Sequence, residues 1–532
     1  MALGAVLCIM SMSAQAQQTV GSINGRANKG DVVSVESKAI GVSRQVKLDA
    51  DGSFLISQLP AGTYTVTRTR ANGTKETTEV FVASGEGATA TFAATQVVQV
   101  TGSAIRRIDA RSTEAATTLS KAEIDRIPVT RDVTAVTLLA PGAVFGDSRI
   151  GQSTSRNGNV PSLGGASPAE NAYYVNGFNV TNILNGVAFN QVPFEGIAEV
   201  QVKTGGYGAE FGRSLGGVVN VTTKRGTNEW KGGVSASYAP DSLRGSSVYG
   251  KRNPTTLEWE LAERPGGTDD LKYNVYAGGP VIKDKLFIFG LIQGSKLTQK
   301  TYNETSQTHL TNDTPQYLIK ADWNVTDSNF FELTAFSDKS KDKSYQWFSP
   351  TPYDTPRGAD IGPSTTESGG TNVIAKWTSI INQDLSISAM YGEGKYSRSE
   401  TAANSNCPYF IDNIGTAKRA AGSCYVSANI PEPTNGDSRK AFRLDAEWAL
   451  GKHKLKAGLD YETIKVSDGS QRSGGIEYRL FSRSGGQILN PNYTIPVGTP
   501  AATYVRTRIF KNGGAFDTIN SAWYIEDAID VV

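Results

Sequence analysis

Short runs in which apolar and polar residues alternate recur along most of the chain, each closed by a turn rich in Gly, Pro, Asn or Asp. A period of two is the mark of half-buried strands. Near the N-terminus, VVSVE, QVKLDADGSFLI, TYTVTRTR and TTEVFVA are separated by Asp-Gly, Pro-Ala-Gly and Asn-Gly turns. This predicts a β-sandwich of about seven strands.

The pattern changes in the middle of the chain. Ser120-Lys121-Ala122-Glu123 is a capping box opening a short helix that Pro128 ends. Asp132 can cap a second helix with Val133, Val136 and Leu139 on one face, stopped by Pro141-Gly142. Two β patterns follow, IAEVQVKT and VVNVTTK, joined by a glycine-dense loop. The expectation for this region is an α+β unit.

Beyond Gly226 the alternation returns in longer form. In the run from Phe442 to Leu450, and again from Leu455 to Glu462 after the tight Gly451-Lys452 turn, Leu444, Ala446, Trp448, Leu455, Leu459 and Tyr461 share one face. Arg443, Asp445, Glu447, Lys456, Asp460 and Glu462 share the other. Such strands suit a membrane barrel with lipid outside and a wet lumen inside. Short joints such as VIKDK alternate with long polar stretches at 340–371 and 399–437, the loop asymmetry of outer-membrane barrels.

Composition narrows the picture. At 532 residues the chain needs several domains or one large barrel. After the first sixteen residues no apolar run approaches the roughly 18 to 20 residues of a membrane helix, so a bilayer crossing requires a closed barrel. The 53 basic and 51 acidic side chains leave a net charge of +2, which argues against a nucleic acid as partner.

Residues 1–16 read as a secretory signal peptide: an apolar run from Leu3 to Met12, then Ala14-Gln15-Ala16 as a cleavage site, without a basic leader before it. Of three cysteines, Cys8 leaves with the signal. Cys407 and Cys424 are expected to pair within one polar surface loop of an exported chain.

No catalytic constellation emerges. The two histidines, His309 and His453, lie outside any His-x-x-Glu context, and Asp49 and Asp51 belong to a hairpin turn without the later ligands of a calcium loop. Acidic pairs such as Asp269-Asp270 and Glu526-Asp527 read as solvated charges. Neither enzymatic activity nor a cofactor or metal site is expected.

The most specific text runs from Ala166 to Tyr238. Glu210-Phe211-Gly212-Arg213, Gly216-Gly217-Val218-Val219-Asn220 and Thr223-Lys224-Arg225-Gly226-Thr227-Asn228 stand there in order. The passage resembles the plug-to-barrel junction of TonB-dependent outer-membrane receptors, in particular the Oar-like branch. Leu48 to Phe54 followed by Leu59 to Tyr64 looks like a carboxypeptidase regulatory-like domain, a transthyretin-like sandwich.

The resemblance implies a mainly β chain with a signal peptide (1–16), the sandwich (17–95), a linker (96–107), an α+β plug (108–225) and an antiparallel transmembrane β-barrel (226–532). Receptors of this kind have about 22 strands, against roughly ten candidates here. The barrel is therefore expected to be partial and the chain truncated at its C-terminus.

The implied function is uptake of an unknown extracellular ligand across the outer membrane of a Gram-negative cell. Outer-membrane lipid surrounds the barrel, and an inner-membrane TonB complex supplies energy. Val97, Val98, Gln99, Val100 and Thr101 resemble the TonB box, a strip able to add as an edge strand to a partner sheet; the last strand of the sandwich is the other reading.

The Gly205–Arg213 loop lacks Gly-Lys-Ser/Thr and leads into a strand, so it reads as a tight plug turn and not as a phosphate cradle. Glu210 and Arg213 are expected to bond to barrel-wall charges, with Gly212, Gly216 and Gly217 in the same plug motif. At Asn176-Gly177 the family usually has Asp-Gly, and both dipeptides suit a type I′ turn. The rival from another class is a secreted or surface β-sandwich adhesion protein without transport.

Overall fold

A computed structural model describes residues 20–92, 114–146 and 160–529, apart from 185, 213, 246–247, 253–257, 264, 304–305, 350–354, 359, 403–407, 415–429, 432–434 and 491. The expected signal peptide, the Val97–Thr101 strip, Arg213, Cys407 and Cys424 fall outside the described residues.

Alternation along the first strands builds two facing sheets. One orders Gly52–Pro60, Val20–Ala27 and Gly87–Ala90; the other orders Val42–Lys47, Val32–Ser37, Gly62–Thr69 and Lys75–Val82. Tyr64 and Val66 are buried while Thr63 and Thr65 are exposed, and the inward set closes a core with Ile23, Val33, Val35, Leu59 and Val82. The Tyr64 hydroxyl, enclosed there, donates to the Pro60 carbonyl at 2.7 Å, which satisfies a polar tip that burial would otherwise penalise.

A five-stranded mixed sheet follows, in the order Phe178–Asn179, Ala172–Val175, Val218–Thr223, Ile197–Gly205 and Ala115–Ser120. The Ala172–Val175 and Val218–Thr223 strands run parallel. Every residue of Val218–Thr223 is buried, as expected for a strand covered on both faces. The capping box forms at the helix Lys121–Ile124, and Asp132 caps the helix Val133–Thr137 by accepting from Ala135 N at 2.8 Å. Both helices are one turn long. Leu139, expected on the buried face of the second, lies past its Leu138 cap and is 37% exposed.

From Lys231 onward the chain forms a 14-stranded sheet, its long strands joined antiparallel and curled around the five-stranded unit. Trp448, Leu459 and Tyr461 point outward and are about half exposed, whereas Arg443, Lys456 and Glu462 are buried on the inner side. Apolar side chains of the wall, among them Phe289, Leu291, Leu318, Phe336 and Ile374, share one core with Phe178, Val200 and Val219 of the inner sheet. The five-stranded unit is thus lodged in the lumen.

Candidate functional site: the seam between plug and wall

Away from that shared core, the contact between inner unit and wall is polar. Glu210, on the glycine-dense loop between Ile197–Gly205 and Val218–Thr223, has a fully enclosed side chain 4.0 Å from Lys456 Nζ of the strand His453–Arg483. Lys456 also pairs with Glu447 at 3.4 Å. Arg443 donates to the Glu210 carbonyl at 3.4 Å and to Asp445 at 2.9 Å. It also reaches the Tyr524 hydroxyl at 3.2 Å, which in turn donates to Asp445 at 2.7 Å. Burial pushes the Glu210 carboxyl up to about 7, against the opposing pull of Lys456 and Lys203.

The Asn-Gly turn forms a second contact. Asn176 (φ 49°) and Gly177 (φ 85°) make the two-residue hairpin turn between Val175 and Phe178, and both positive φ values are those of type I′. That conformation presents Asn176 Nδ2 to Thr334 Oγ1 of the wall at 3.0 Å and to Thr223 Oγ1 at 2.8 Å, while its Oδ1 accepts from Thr223 N at 3.0 Å. The amide donates to both hydroxyls, whereas an ionised carboxylate at this position could only accept from them.

Three further wall groups hold the plug. Asp338 accepts from Asn190 Nδ2 and Gln191 N of the plug, each at 2.9 Å, and from Gly370 N of the wall at 2.8 Å. Arg439 donates to Asn179 O at 2.6 Å and Oδ1 at 2.8 Å, and to Thr181 O at 3.3 Å. Asp322 binds Arg225, where the plug passes into the wall, at 3.2 Å. A cavity of about 230 Å³ beside the seam is lined by Arg131, Phe194, Lys272, Gln293, Asp338 and Tyr396, among others.

The glycines of the motif have unequal roles. A Cβ on Gly217 would lie 2.5 Å from Leu163 Cβ and 2.8 Å from the Lys203 carbonyl, and one on Gly216 would lie 2.6 Å from Asn171 Oδ1. The strand Val218–Thr223 therefore needs both to enter the sheet. Gly212 meets nothing within 4 Å.

The sequence pattern placed Arg443, Asp445 and Lys456 on the lumen face, but not against Glu210. It gave no sign of Asp338, Arg439, Thr334 or Tyr524, whose roles depend on which plug loop lies opposite them.

Comparison with known proteins bears on this geometry. Residues 109–218 match the TonB-dependent Receptor Plug Domain and residues 298–532 match an Outer membrane beta barrel domain. Over 281 residues the chain is 29% identical to the TonB-dependent transporter Oar of Myxococcus xanthus. The chain carries the plug and the barrel wall of TonB-dependent receptors and is similar to their Oar-like branch.

The Oar match covers 48% of this receptor and 24% of that protein. The receptor is also 31% identical over 145 residues to the probable TonB-dependent siderophore receptor PirA of Acinetobacter baumannii, covering 24% of this chain and 19% of that one. The matches therefore span a quarter or less of these relatives' own lengths. In fold, the receptor resembles the outer membrane transporter YddB from Escherichia coli, with a TM-score of 0.53 at 15% identity over 78% of this chain and 54% of that one. The wall is an outer-membrane β-barrel, and the unit within it is the plug.

Proposed function

We propose that the receptor imports an extracellular ligand by energy-coupled rearrangement of the plug, and that Val97–Thr101 is the strip an inner-membrane TonB complex grips. In this reading it transports and does not catalyse. The observation that carries it is the polar seam: Glu210, Asn176, Asn190 and Asn179 meet Lys456, Thr334, Asp338 and Arg439 of the wall. Each hydrogen bond of this kind contributes only about 0.5–1.5 kcal/mol net once water replaces the partner, so the seam is weak only when opening it admits water. A plug held by such bonds can slip along the wall while its own β-sheet persists.

Glu210, Arg213, Gly212, Gly216, Gly217, Asn176 and Gly177 form the gating motif in this proposal, and Cys407 and Cys424 close one extracellular loop. Both the transported ligand of Oar-like relatives and the siderophore in the PirA name are compatible with such a gate.

The test is capture of the detergent-solubilised receptor by the isolated periplasmic domain of TonB. Val98→Pro or Val100→Pro removes a donor from a strand-addition strip and should abolish capture while heat-modifiable migration shows the barrel still inserted. Undiminished capture by an inserted proline variant would refute the assignment.

A further inference from the structure

The hairpin formed by His453–Arg483 and Ala502–Ile529 is far longer than a bilayer requires, since a spanning strand uses about 10 residues. Tyr461 and Trp523, outward-facing aromatic residues about half exposed or more, stand near its short-turn end at His453 and Ile529. Arg472 lies roughly ten residues beyond Tyr461, or about 30 Å of strand. The upper half of the hairpin therefore stands beyond the lipid, on the side of the long loops.

One face of this upper half is basic and aromatic. The register pairs Glu477 with Arg508, Arg479 with Arg506, and Phe481 with Tyr504. Positions 504, 506 and 508 have the same parity as Tyr524, which contacts Arg443 in the lumen, and their strand runs without a bulge of its own between them. By the two-residue period, the face is turned toward the barrel axis.

Glu477 is the carboxylate at its centre, and it is shared. Arg472 Nε lies 2.9 Å from it, and Arg479 and Arg506 each lie 3.2 Å from it. Burial disfavours its charged form, but the three guanidiniums outweigh burial and hold the carboxyl below its usual range. Arg483 lies over Phe481 at 4.9 Å and Arg508 over Phe510 at 4.8 Å. Phe481 and Tyr504 stack with centroids 6.2 Å apart. The side chains of Arg479 and Arg506 remain 31% and 47% exposed.

We infer that this face is a binding surface for a multiply anionic ligand that carries a ring. Planar guanidinium forks match carboxylate, phosphate and sulfonate oxygens, and the aromatic rungs offer a stacking surface between them. The occupant is a free ligand entering the barrel and not lipopolysaccharide, because the face looks inward whereas the lipid leaflet adjoins the outer side of the wall.

The inference rests on the uptake reading for its biological meaning, but it is tested without TonB. The probe is 1,3,6,8-pyrenetetrasulfonate, a fluorescent ring bearing four anionic groups, titrated against the solubilised receptor. Arg483→Gln with Arg508→Gln spares the three arginines on Glu477, and should weaken binding by about tenfold or more. Lysines at the same two positions should restore part of it. Lys465→Gln, at an outward-facing pair with Asp517, should change nothing.

Citrate should compete with the probe and lipopolysaccharide should not. Equal affinity in the double glutamine variant, or displacement by lipopolysaccharide alone, would overturn the proposal. Neither result touches the TonB-capture experiment. Unchanged chymotrypsin cleavage of the hairpin confirms that the glutamine variant is folded.

Discussion

Glu210 shows how one buried carboxylate can couple the plug to pH. Its folded pKa of about 7 stands above its ordinary 4.5, so the folded state binds the proton more tightly than the unfolded one. The stability this contributes is fully present below about 4.5 and is lost as pH rises through 7. The shift corresponds to about 3 kcal/mol at the upper bound. Melting of the solubilised receptor should therefore move to lower temperature between pH 5 and pH 8, and Glu210→Gln should flatten that dependence. An unchanged pH profile in the variant would exclude Glu210 as the responsible group.

The reason for the shift could not be read from the loop Gly205–Arg213, where Glu210 is merely one charge among glycines. Its enclosure comes from Lys456, Arg443 and Tyr524 on three different wall strands. Asn176-Gly177 is the opposite case: the dipeptide itself dictates two positive φ values, and the structure has them. Gly217 is intermediate. The text marked it as part of a motif, but only packing reveals Leu163 and the Lys203 carbonyl where a side chain would stand. Gly217→Ala should lower the melting temperature of the plug by several degrees, since a backbone oxygen cannot yield as a side chain can.

At the scale of elements, the sandwich is docked against the short-turn end of the barrel. Its 37–42 turn meets two regions of the wall: Asn228 N donates to Ala39 O and its Nδ2 to Lys38 O, both at 2.7 Å, and Asn324 Nδ2 donates to Ile40 O at 3.1 Å. A second turn reaches the plug. Ser84, fully buried, donates from its N to Glu199 at 3.0 Å, and Gln201 donates back to the Ser84 carbonyl at 3.1 Å.

Gly41 (φ +64°) has the Asp284 carbonyl 2.4 Å from where a Cβ would be. Gly41→Val should undock this turn. Hydrogen exchange would then speed up roughly tenfold at 37–42 and 324–328, with the sandwich core around Tyr64 and Val66 unaffected. Equal exchange at both turns would show that the docking does not depend on that close approach. Alternation made the seven-stranded sandwich legible, because each strand carries its own inward face. Its docking was not legible, because turn residues such as Lys38 and Ser84 look like any solvated loop until an opposing surface is known.

For the whole molecule, plug and wall are covalently continuous and meet through a shared apolar core and a seam of hydrogen bonds, and the proposed gating requires them to part there. A direct test joins them. Asn176→Cys with Thr334→Cys exploits a contact of 3.0 Å between the native side chains. In a bilayer-embedded receptor pulled from a tag at 97–101, the oxidised pair should resist plug displacement and the reduced pair should permit it. Equal extraction forces would mean that the plug does not move past Thr334. The proposed Cys407–Cys424 bridge has a simpler test: the unreduced, unfolded receptor should show no thiol reactive toward a maleimide once the signal has been removed.

What the sequence by itself determined is each strand's two faces and each turn's shape, because side-chain periodicity and backbone preferences are local. It thereby specified a sandwich, an α+β unit and barrel strands as kinds of structure, and the resemblance to a receptor plug marked Glu210 and Asn176 as residues of that unit. Only the tertiary structure decided their partners. Curling the wall around the plug brings together positions as far apart as Glu210 and Lys456, or Asn176 and Thr334. Burial and charge at such contacts arise from the approach of two surfaces, and neither strand alone carries that information.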